Sequence, residues 1–207
     1  SWYLNEMRKS ESNYSSGKLS GSITNWFENG TKSEEGTYEN GKQNGIWIWY
    51  YETGIKKEET KFVDGQQEGI WVQWFTDGTK KSERYFLNGE RDNVWTSWYE
   101  NGNKKFQSTY SNGKLNGGWT SWYEGGIVKE KTGEYSDNKL DKKWTYWSET
   151  GRKTKEISYD KGIKSGPYHE WNSDNYKIIS GSYLNSDKHG KWILRNNDGT
   201  LKAEERY

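Results

Sequence analysis

A segment of 24 residues recurs along the chain and limits its fold more than any other feature of the sequence. Over residues 93–116 it reads NVWTSWYENGNKKFQSTYSNGKLN, and the residues that follow, GGWTSWYEGG, begin it again. Each repeat contains two short runs rich in aromatic residues, and a turn sequence follows each run. Asn-Gly between such runs is the strongest short signal of a β-hairpin. The repeat therefore predicts a series of consecutive hairpins.

The repeats follow one another without a linker or a change in composition, which predicts one array over residues 1–207. Partial repeats at 1–20 and 190–207 flank the complete ones, which are 21–44, 45–68, 69–92, 93–116, 117–141, 142–165 and 166–189. Repeat 117–141 has one extra residue, which we place before Tyr135 as a bulge or a longer strand. Because the chain opens in mid-repeat, we expect it to be a piece of a longer protein whose leader lies outside it.

Glycine recurs at two turn positions of each repeat. The first turn ends in Gly30, Gly54, Gly78, Gly102, Gly126, Gly151 and Gly199, with Glu6 and Asn175 as exceptions. The second turn contains Gly17, Gly41, Gly65, Gly89, Gly113 and Gly162, with Asn138 and Ser186 as exceptions. Glycine and asparagine adopt a positive φ at the lowest cost, so we predict a positive φ at both positions.

Two strands per repeat give about 17 strands in sequence order. A twisted open sheet rarely exceeds about 10 strands without curling or splitting. The predicted fold is therefore all-β, an elongated single-layer antiparallel meander or open solenoid of about eight hairpin repeats. In such an array each repeat contacts mainly its neighbours.

The composition excludes several classes of protein. A net charge of +1 argues against nucleic-acid binding, which needs a basic surface. There are 14 Trp and 16 Tyr residues, whose large apolar surfaces favour a folded chain over a disordered one. No apolar run is long enough to span a membrane, and the absence of cysteine excludes disulfides and thiolate metal sites.

Two aromatic rows persist in almost every repeat, so we assign both to an internal spine. The third position of the repeat holds Ile23, Trp47, Trp71, Trp95, Trp119, Trp144, Tyr168 and Trp192. The second strand contributes Tyr14, Tyr38, Phe62, Phe86, Tyr110, Tyr135, Tyr159, Tyr183 and Tyr207.

Two further rows occupy the adjacent sixth and seventh positions, and because neighbouring strand residues point to opposite faces, both faces carry aromatic rings. Either Lys and Glu stems cover these rings, or a partner docks on a solvent-facing aromatic strip within residues 1–125. In the second interpretation the binding residues of the aromatic strip are Tyr3, Phe27, Tyr51, Phe75, Tyr99, Tyr123, Trp74, Trp98 and Trp122. The seventh position becomes polar from Ser148 onwards.

Catalysis has little support in the sequence. The two histidines, His169 and His189, occupy positions that other repeats fill with other residues, and we interpret both as solvated. No Ser/His/Asp arrangement is recognisable. We therefore predict a protein that is not an enzyme and has neither a metal nor a cofactor.

Segments such as YENGKQNGIWIWYYETGIKKEE, residues 38–59, resemble the bacterial variant of the MORN repeat. The shared features are Tyr-x-x-Gly-Lys, then Gly-x-Trp, then an aromatic pair before the turn, and the resemblance extends over residues 2–207. It implies a β-hairpin array with a non-enzymatic role. Members of this variant are often named antitoxin-like, and the wider family is proposed to bind lipid or protein. A location in the bacterial cell envelope or outside the cell is favoured, although the sequence does not fix the compartment.

The leading hypothesis is a scaffold that binds another protein through the aromatic strip, in an immunity-type, antitoxin-like or host-contact role. One alternative is a glycan-binding surface, because rows of Trp and Tyr suit stacking on sugar rings. Another is a phospholipid-surface module that uses the turn lysines Lys18, Lys42, Lys114 and Lys139. Edge-to-edge pairing into a homodimer also remains open.

Overall fold

The computed structural model describes all 207 residues, and its regular structure consists of strands alone. The strands are β1 (Ser10–Ser15), β2 (Lys18–Trp26), β3 (Lys32–Glu39), β4 (Lys42–Tyr50), β5 (Lys56–Val63), β6 (Gln66–Trp74), β7 (Lys80–Leu87), β8 (Glu90–Trp98), β9 (Lys104–Ser111), β10 (Lys114–Trp122), β11 (Lys129–Ser136), β12 (Lys139–Trp147), β13 (Lys153–Asp160), β14 (Ile163–Trp171), β15 (Lys177–Leu184), β16 (Asp187–Arg195) and β17 (Leu201–Arg206). They form two compact bodies: the N-terminal half, Ser1–Gly102, and the C-terminal half, Asn103–Tyr207.

Within each half, strands adjacent in sequence pair antiparallel. The N-terminal half runs in this way from β1 to β8. The C-terminal half runs from β9 to β17. The predicted all-β class and the antiparallel meander of hairpins are confirmed.

The turns have the backbone conformation that their residues predict. In the second turn of the repeat both central residues have positive φ, as at Asn40 (51°) and Gly41 (84°), which is the type I′ geometry of a tight hairpin. The exceptions to glycine keep the same conformation, with φ of 65° at Asn138 and 73° at Ser186. In the first turn, Glu6 and Asn175 have φ of 66° and 67°.

The extra residue of repeat 117–141 lies in a different place from the one predicted. Strand β11, which contains Tyr135, has 8 residues, as the equivalent strand β5 has. The turn between Trp122 and Lys129 is longer instead, and the amide of Tyr123 donates to the carbonyl of Val128 across it. The interpretation of the extra residue as a bulge or a longer strand is therefore wrong. A turn accepts an added residue without changing the pairing of its strands, whereas a bulge breaks the ladder locally.

The core depends on a packing arrangement in which a tryptophan lies over a glycine of the preceding strand. Trp47 lies over Gly36, where an added Cβ would stand only 2.3 Å from the indole ring. The indole N–H of Trp47 donates to the carbonyl of Thr37 at 3.1 Å, and Tyr38 packs against the indole edge-on at 5.1 Å. Trp47 is only 1% exposed as a result.

Two repeats of the C-terminal half contain the same arrangement. Trp144 lies over Gly133, and Trp192 lies over Gly181. Their indole N–H groups donate to the backbone carbonyls of Glu134 and Ser182, and both indoles are 2% exposed. The positions without glycine differ from one another. Beside Thr60, the indole nitrogen of Trp71 is buried without a hydrogen-bond partner, whereas Trp95, beside Arg84, donates to the carbonyl of Tyr85 at 3.1 Å and is buried.

The predicted spine is confirmed at the buried rings and is wrong at two terminal ones. Phe86 and Trp95 are buried together with the three glycine-facing tryptophans. Tyr14 and Tyr207 are more than half exposed. Tyr14 lies on β1, the first strand of its half, and Tyr207 follows β17, the last strand of the other half. Both therefore lack a strand on one side to cover the ring.

Gly133→Ala tests the contact between tryptophan and glycine. A Cβ there would stand 2.2 Å from the Trp144 indole, and Gly133 has no positive φ, so the effect is steric. We expect a loss of about 1–3 kcal/mol in the free energy of unfolding, measured by urea denaturation. Gly118→Ala in the same half is the control, because nothing lies within 4 Å of the added Cβ. Equal unfolding curves for the two variants would contradict the packing argument.

Candidate functional site

The tyrosines of the aromatic strip connect neighbouring repeats. The hydroxyl of Tyr51 donates to the backbone carbonyl of Trp74 at 2.8 Å. Tyr3 and Tyr123 make the same bond to the carbonyls of Trp26 and Trp147, both at 2.7 Å. Each of these bonds joins the seventh position of one repeat to the backbone of the sixth position in the next repeat. The tyrosine hydroxyls therefore stabilise the contact between repeats.

Lysines cover the rings at the seventh position. The ammonium groups of Lys9, Lys57 and Lys81 stand over the rings of Tyr3, Tyr51 and Phe75 at 5.4–6.0 Å from the ring centres. Contacts at this distance are attractive, and the lysine stem excludes water from the ring.

Lysines also cover the tryptophans at the sixth position, on the opposite face. Lys56 stands over Trp74 at 6.0 Å, and Lys80 stands over Trp98 at 5.5 Å. Both lysines also form ion pairs with the glutamate three residues later, at 2.6 and 2.7 Å. In the C-terminal half, Lys104 covers Trp122 in the same way at 5.7 Å.

All nine residues of the aromatic strip are half-buried. Six of the rings lie under a lysine ammonium group: Tyr3, Tyr51, Phe75, Trp74, Trp98 and Trp122. For these rings, the geometry is that of the interpretation in which Lys and Glu stems cover the aromatic side chains. The role of these nine residues in binding stays a prediction.

The N-terminal half exposes a different apolar surface, which the sequence analysis did not identify. Its members share the second position of three successive repeats, and we call them the aliphatic row: Ile46 (54% exposed), Ile70 (56%) and Val94 (42%). The other repeats have Ser22, Gly118, Lys143, Pro167 and Lys191 at this position. A comparison of this column between repeats would have revealed the row, because three bulky aliphatic residues occur there consecutively.

The surroundings of the aliphatic row are mixed in character. Because side chains alternate along a strand, Ile48 and Val72 share the face of the row, and both are half-buried. The strands between the members of the row present Lys61 opposite Ile46 and Tyr85 opposite Ile70. Glu59 and Glu83 lie opposite Ile48 and Val72, so the exposed aliphatic side chains alternate with charged ones and with a phenol.

A polar contact borders this face at Tyr50, whose hydroxyl donates to the Glu35 carboxylate. Hydrogen bonds from Lys32 and then from Tyr50 hold the pKa of Glu35 below its usual value. Burial, and next the bond to Glu35, raises the pKa of Tyr50 to about 12. Glu35 therefore remains ionised and Tyr50 remains neutral at physiological pH, which makes both groups parts of a stable surface and not of an acid–base pair.

The interpretation of both histidines as solvated is wrong for His169. Its side chain is half-buried, and its Nδ1 is buried without a hydrogen-bond partner. Burial, and then the positive charge of Lys177, lowers the pKa of His169, while Glu156 on the paired strand acts in the opposite direction. His189 is exposed, and no group of three or more His, Cys, Asp or Glu side chains is placed to hold a metal ion.

Tyr51→Phe tests the link between repeats. Phe27 and Phe75 occupy the same position in neighbouring repeats, so the ring fits, and the change removes only the bond to the carbonyl of Trp74. We expect the free energy of unfolding to fall by about 0.5–1.5 kcal/mol in urea denaturation. An unchanged curve would show that this bond contributes nothing to stability.

His169→Thr tests the effect of the buried imidazole, since Thr24, Thr96, Thr120 and Thr145 occupy this position in other repeats. The pKa of His169 is lower in the folded chain than the value of about 6.5 that it has in the unfolded chain. The neutral imidazole therefore contributes its full stability above about pH 6.5, and this contribution is lost as the pH falls below that value. We expect the parent to lose more stability than the variant between about pH 7.5 and about pH 5.5, as measured by urea midpoints. Equal losses of stability in the parent and the variant would contradict the lowered pKa of His169.

Comparisons with known proteins identify the repeat. No helical segment with the length and hydropathy of a membrane span is present. No curated protein matches the sequence. The family model of the MORN repeat variant matches residues 43–64 and 91–112, and repeats of this family are generally binding modules. These two segments are therefore MORN repeats of the variant type, and the family predicted from the sequence is confirmed in them.

Proposed function

We propose that the chain is a non-catalytic binding scaffold and that the aliphatic row of its N-terminal half docks another protein. The observation that carries this proposal is the regular exposure of Ile46, Ile70 and Val94 on one face of a sheet. Burying such side chains contributes about 1.5–3 kcal/mol each when it is complete. Three of them provide anchors along one row, and protein interfaces draw most of their affinity from a few buried anchors.

The spacing of the row favours a helical partner. Its members lie on alternate strands, so neighbouring members are separated by about 10 Å, twice the distance between paired strands. Seven residues of α-helix rise about 10.5 Å, so an amphipathic helix with an apolar residue at every seventh position matches the row. An extended strand presents side chains on one face every 6.8 Å or so, which does not match it.

The two alternatives receive less support from the geometry. Stacking on a sugar ring needs a bare aromatic face, whereas lysines stand over Trp74, Trp98 and Trp122. A phospholipid surface would engage the turn lysines, but the second turns carry no continuous basic row, since Gln66 and Glu90 interrupt it. An antitoxin-like or host-contact role is a narrower hypothesis that depends on the identity of the partner.

The test is a triple variant, Ile46→Ser, Ile70→Ser and Val94→Ser, because serine occupies this position naturally at Ser22. The probe is a set of amphipathic helical peptides with leucine at every seventh position, and binding is measured by fluorescence anisotropy. We expect binding to the parent and a loss of more than about tenfold in affinity for the variant.

A matched control removes three exposed aliphatic side chains elsewhere, by Ile163→Ser, Leu184→Ser and Leu201→Ser in the C-terminal half, where these residues are 49%, 49% and 60% exposed. This control should bind as the parent does. Equal losses in the two triple variants, or no binding by the parent, would refute docking at the aliphatic row. Binding of the parent to a glycan array or to anionic vesicles, unchanged in the triple variant, would favour the corresponding alternative.

A further inference from the structure

The repeat at 142–165 lacks two side chains that fill the sheet surface in other repeats. Its seventh position is Ser148, where Tyr123 stands one repeat earlier. Its thirteenth position is Thr154, where other repeats have Lys9, Lys57, Lys81 and Lys105. Lys9, Lys57 and Lys81 each cover a ring at the seventh position. Repeat 142–165 therefore lacks both the aromatic ring of the seventh position and the lysine that would cover this ring.

An open cavity of about 580 Å³ occupies that place, and its volume lies within the range of small-molecule sites. Ser148, Thr150 and Thr154 line one part of it, and Arg152, Trp171 and Asn172 line another. The hydroxyls of Ser148 and Thr150 are 2.8 Å apart and bond to each other. The cavity lies wholly within the C-terminal half.

The preceding repeat shows what such a cavity accepts. There Tyr123 stands at the position equivalent to Ser148, and its hydroxyl donates to the carbonyl of Trp147 at 2.7 Å. The residue equivalent to Trp147 one repeat later is Trp171, which lines the cavity. The cavity therefore has room for a phenol ring, and it is bordered by Trp171, the residue equivalent to the one whose carbonyl receives the Tyr123 hydroxyl.

Arg152 gives the cavity a cationic wall. Its guanidinium donates to the carbonyl of Ser173, which fixes its position at the edge of the cavity. A guanidinium held in this way attracts the face of an aromatic ring, and no carboxylate lines the cavity to oppose an electron-rich ligand.

We propose that this cavity binds a phenol ring from another molecule, in the place where other repeats supply their own tyrosine. The phenol enters between Ser148 and Thr154, and its hydroxyl donates to the carbonyl of Trp171. The ligand class comprises the tyrosine side chain of a peptide and free phenols, which share this chemistry. The inference is independent of docking at the aliphatic row.

The test is a titration followed by the amide NMR signals of the full chain, with p-cresol, toluene and N-acetyl-tyrosinamide as probes. We expect p-cresol to shift the signals of Thr154, Trp171 and Asn172 with a Kd on the order of 1 mM, as suits a ligand of this size. Toluene should bind several-fold more weakly, because it lacks the hydroxyl. A response to N-acetyl-tyrosinamide assigns the site to tyrosine side chains, and its absence beside a p-cresol response assigns the site to free phenols.

Ser148→Tyr restores the missing ring and should abolish the p-cresol response while raising the urea midpoint. Asn196→Tyr is the matched control, since it adds tyrosine at the seventh position of another repeat, away from the cavity, and should leave the response intact. Ser148→Leu fills the same space and provides a second blocked form if Ser148→Tyr does not fold. Persistence of the response in a folded blocked variant, or no saturable response in the parent, would overturn the proposal.

Discussion

The contact between an indole ring and the bare backbone of a glycine is the interaction that buries the most enclosed tryptophans of the array. The pairings of each half form one layer of strands, with no second sheet or helix to pack against. At Gly36, Gly133 and Gly181 the absence of a Cβ makes room for an indole ring against the sheet. The neighbouring carbonyl then receives the indole N–H, so burial leaves no polar group without a partner.

The remaining rings are covered by charged side chains, which explains the unusual composition. Hydrophobic residues are only 29% of the chain, and charged residues are equally frequent. Lys56 and Lys80 extend their stems over tryptophans and hold their ammonium groups near a glutamate of the same strand. Individual exposed ion pairs of this kind contribute little to stability, so the covering of apolar rings is the more important role of these lysines.

Most of the fold can be predicted from the sequence because the residues that determine the turns and strands lie close together in the chain and recur in every repeat. Asn40–Gly41 and its equivalents determine the tight turns, and the recurrent aromatic positions determine the strands. The extra residue of repeat 117–141 was interpreted as a bulge or a longer strand because an alignment of repeats shows that one repeat is longer, but does not show whether a turn or a strand holds the added residue. Tyr14 and Tyr207 were assigned to the core because periodicity does not show that a terminal strand lacks a neighbour.

The candidate site was less accessible to sequence reasoning. The aromatic strip follows a period that the sequence displays, but whether a ring is covered depends on lysines from other strands, such as Lys57 over Tyr51. The aliphatic row escaped notice because Ile46, Ile70 and Val94 share a position that is Ser, Gly, Pro or Lys in the other repeats. A position that holds a bulky aliphatic residue in only a few consecutive repeats is therefore not revealed by a search for columns that persist.

The longer turn after Trp122 has a consequence for the use of this architecture. It holds Gly125 and Ile127 at its tip, and Ile127 is 91% exposed, yet β10 and β11 pair through six matched positions beside it. Repeat 117–141 thus accommodates an added residue at its first turn while its strands keep their pairing. This turn is therefore the place in the array where a foreign recognition loop can be grafted with the least change to the strands.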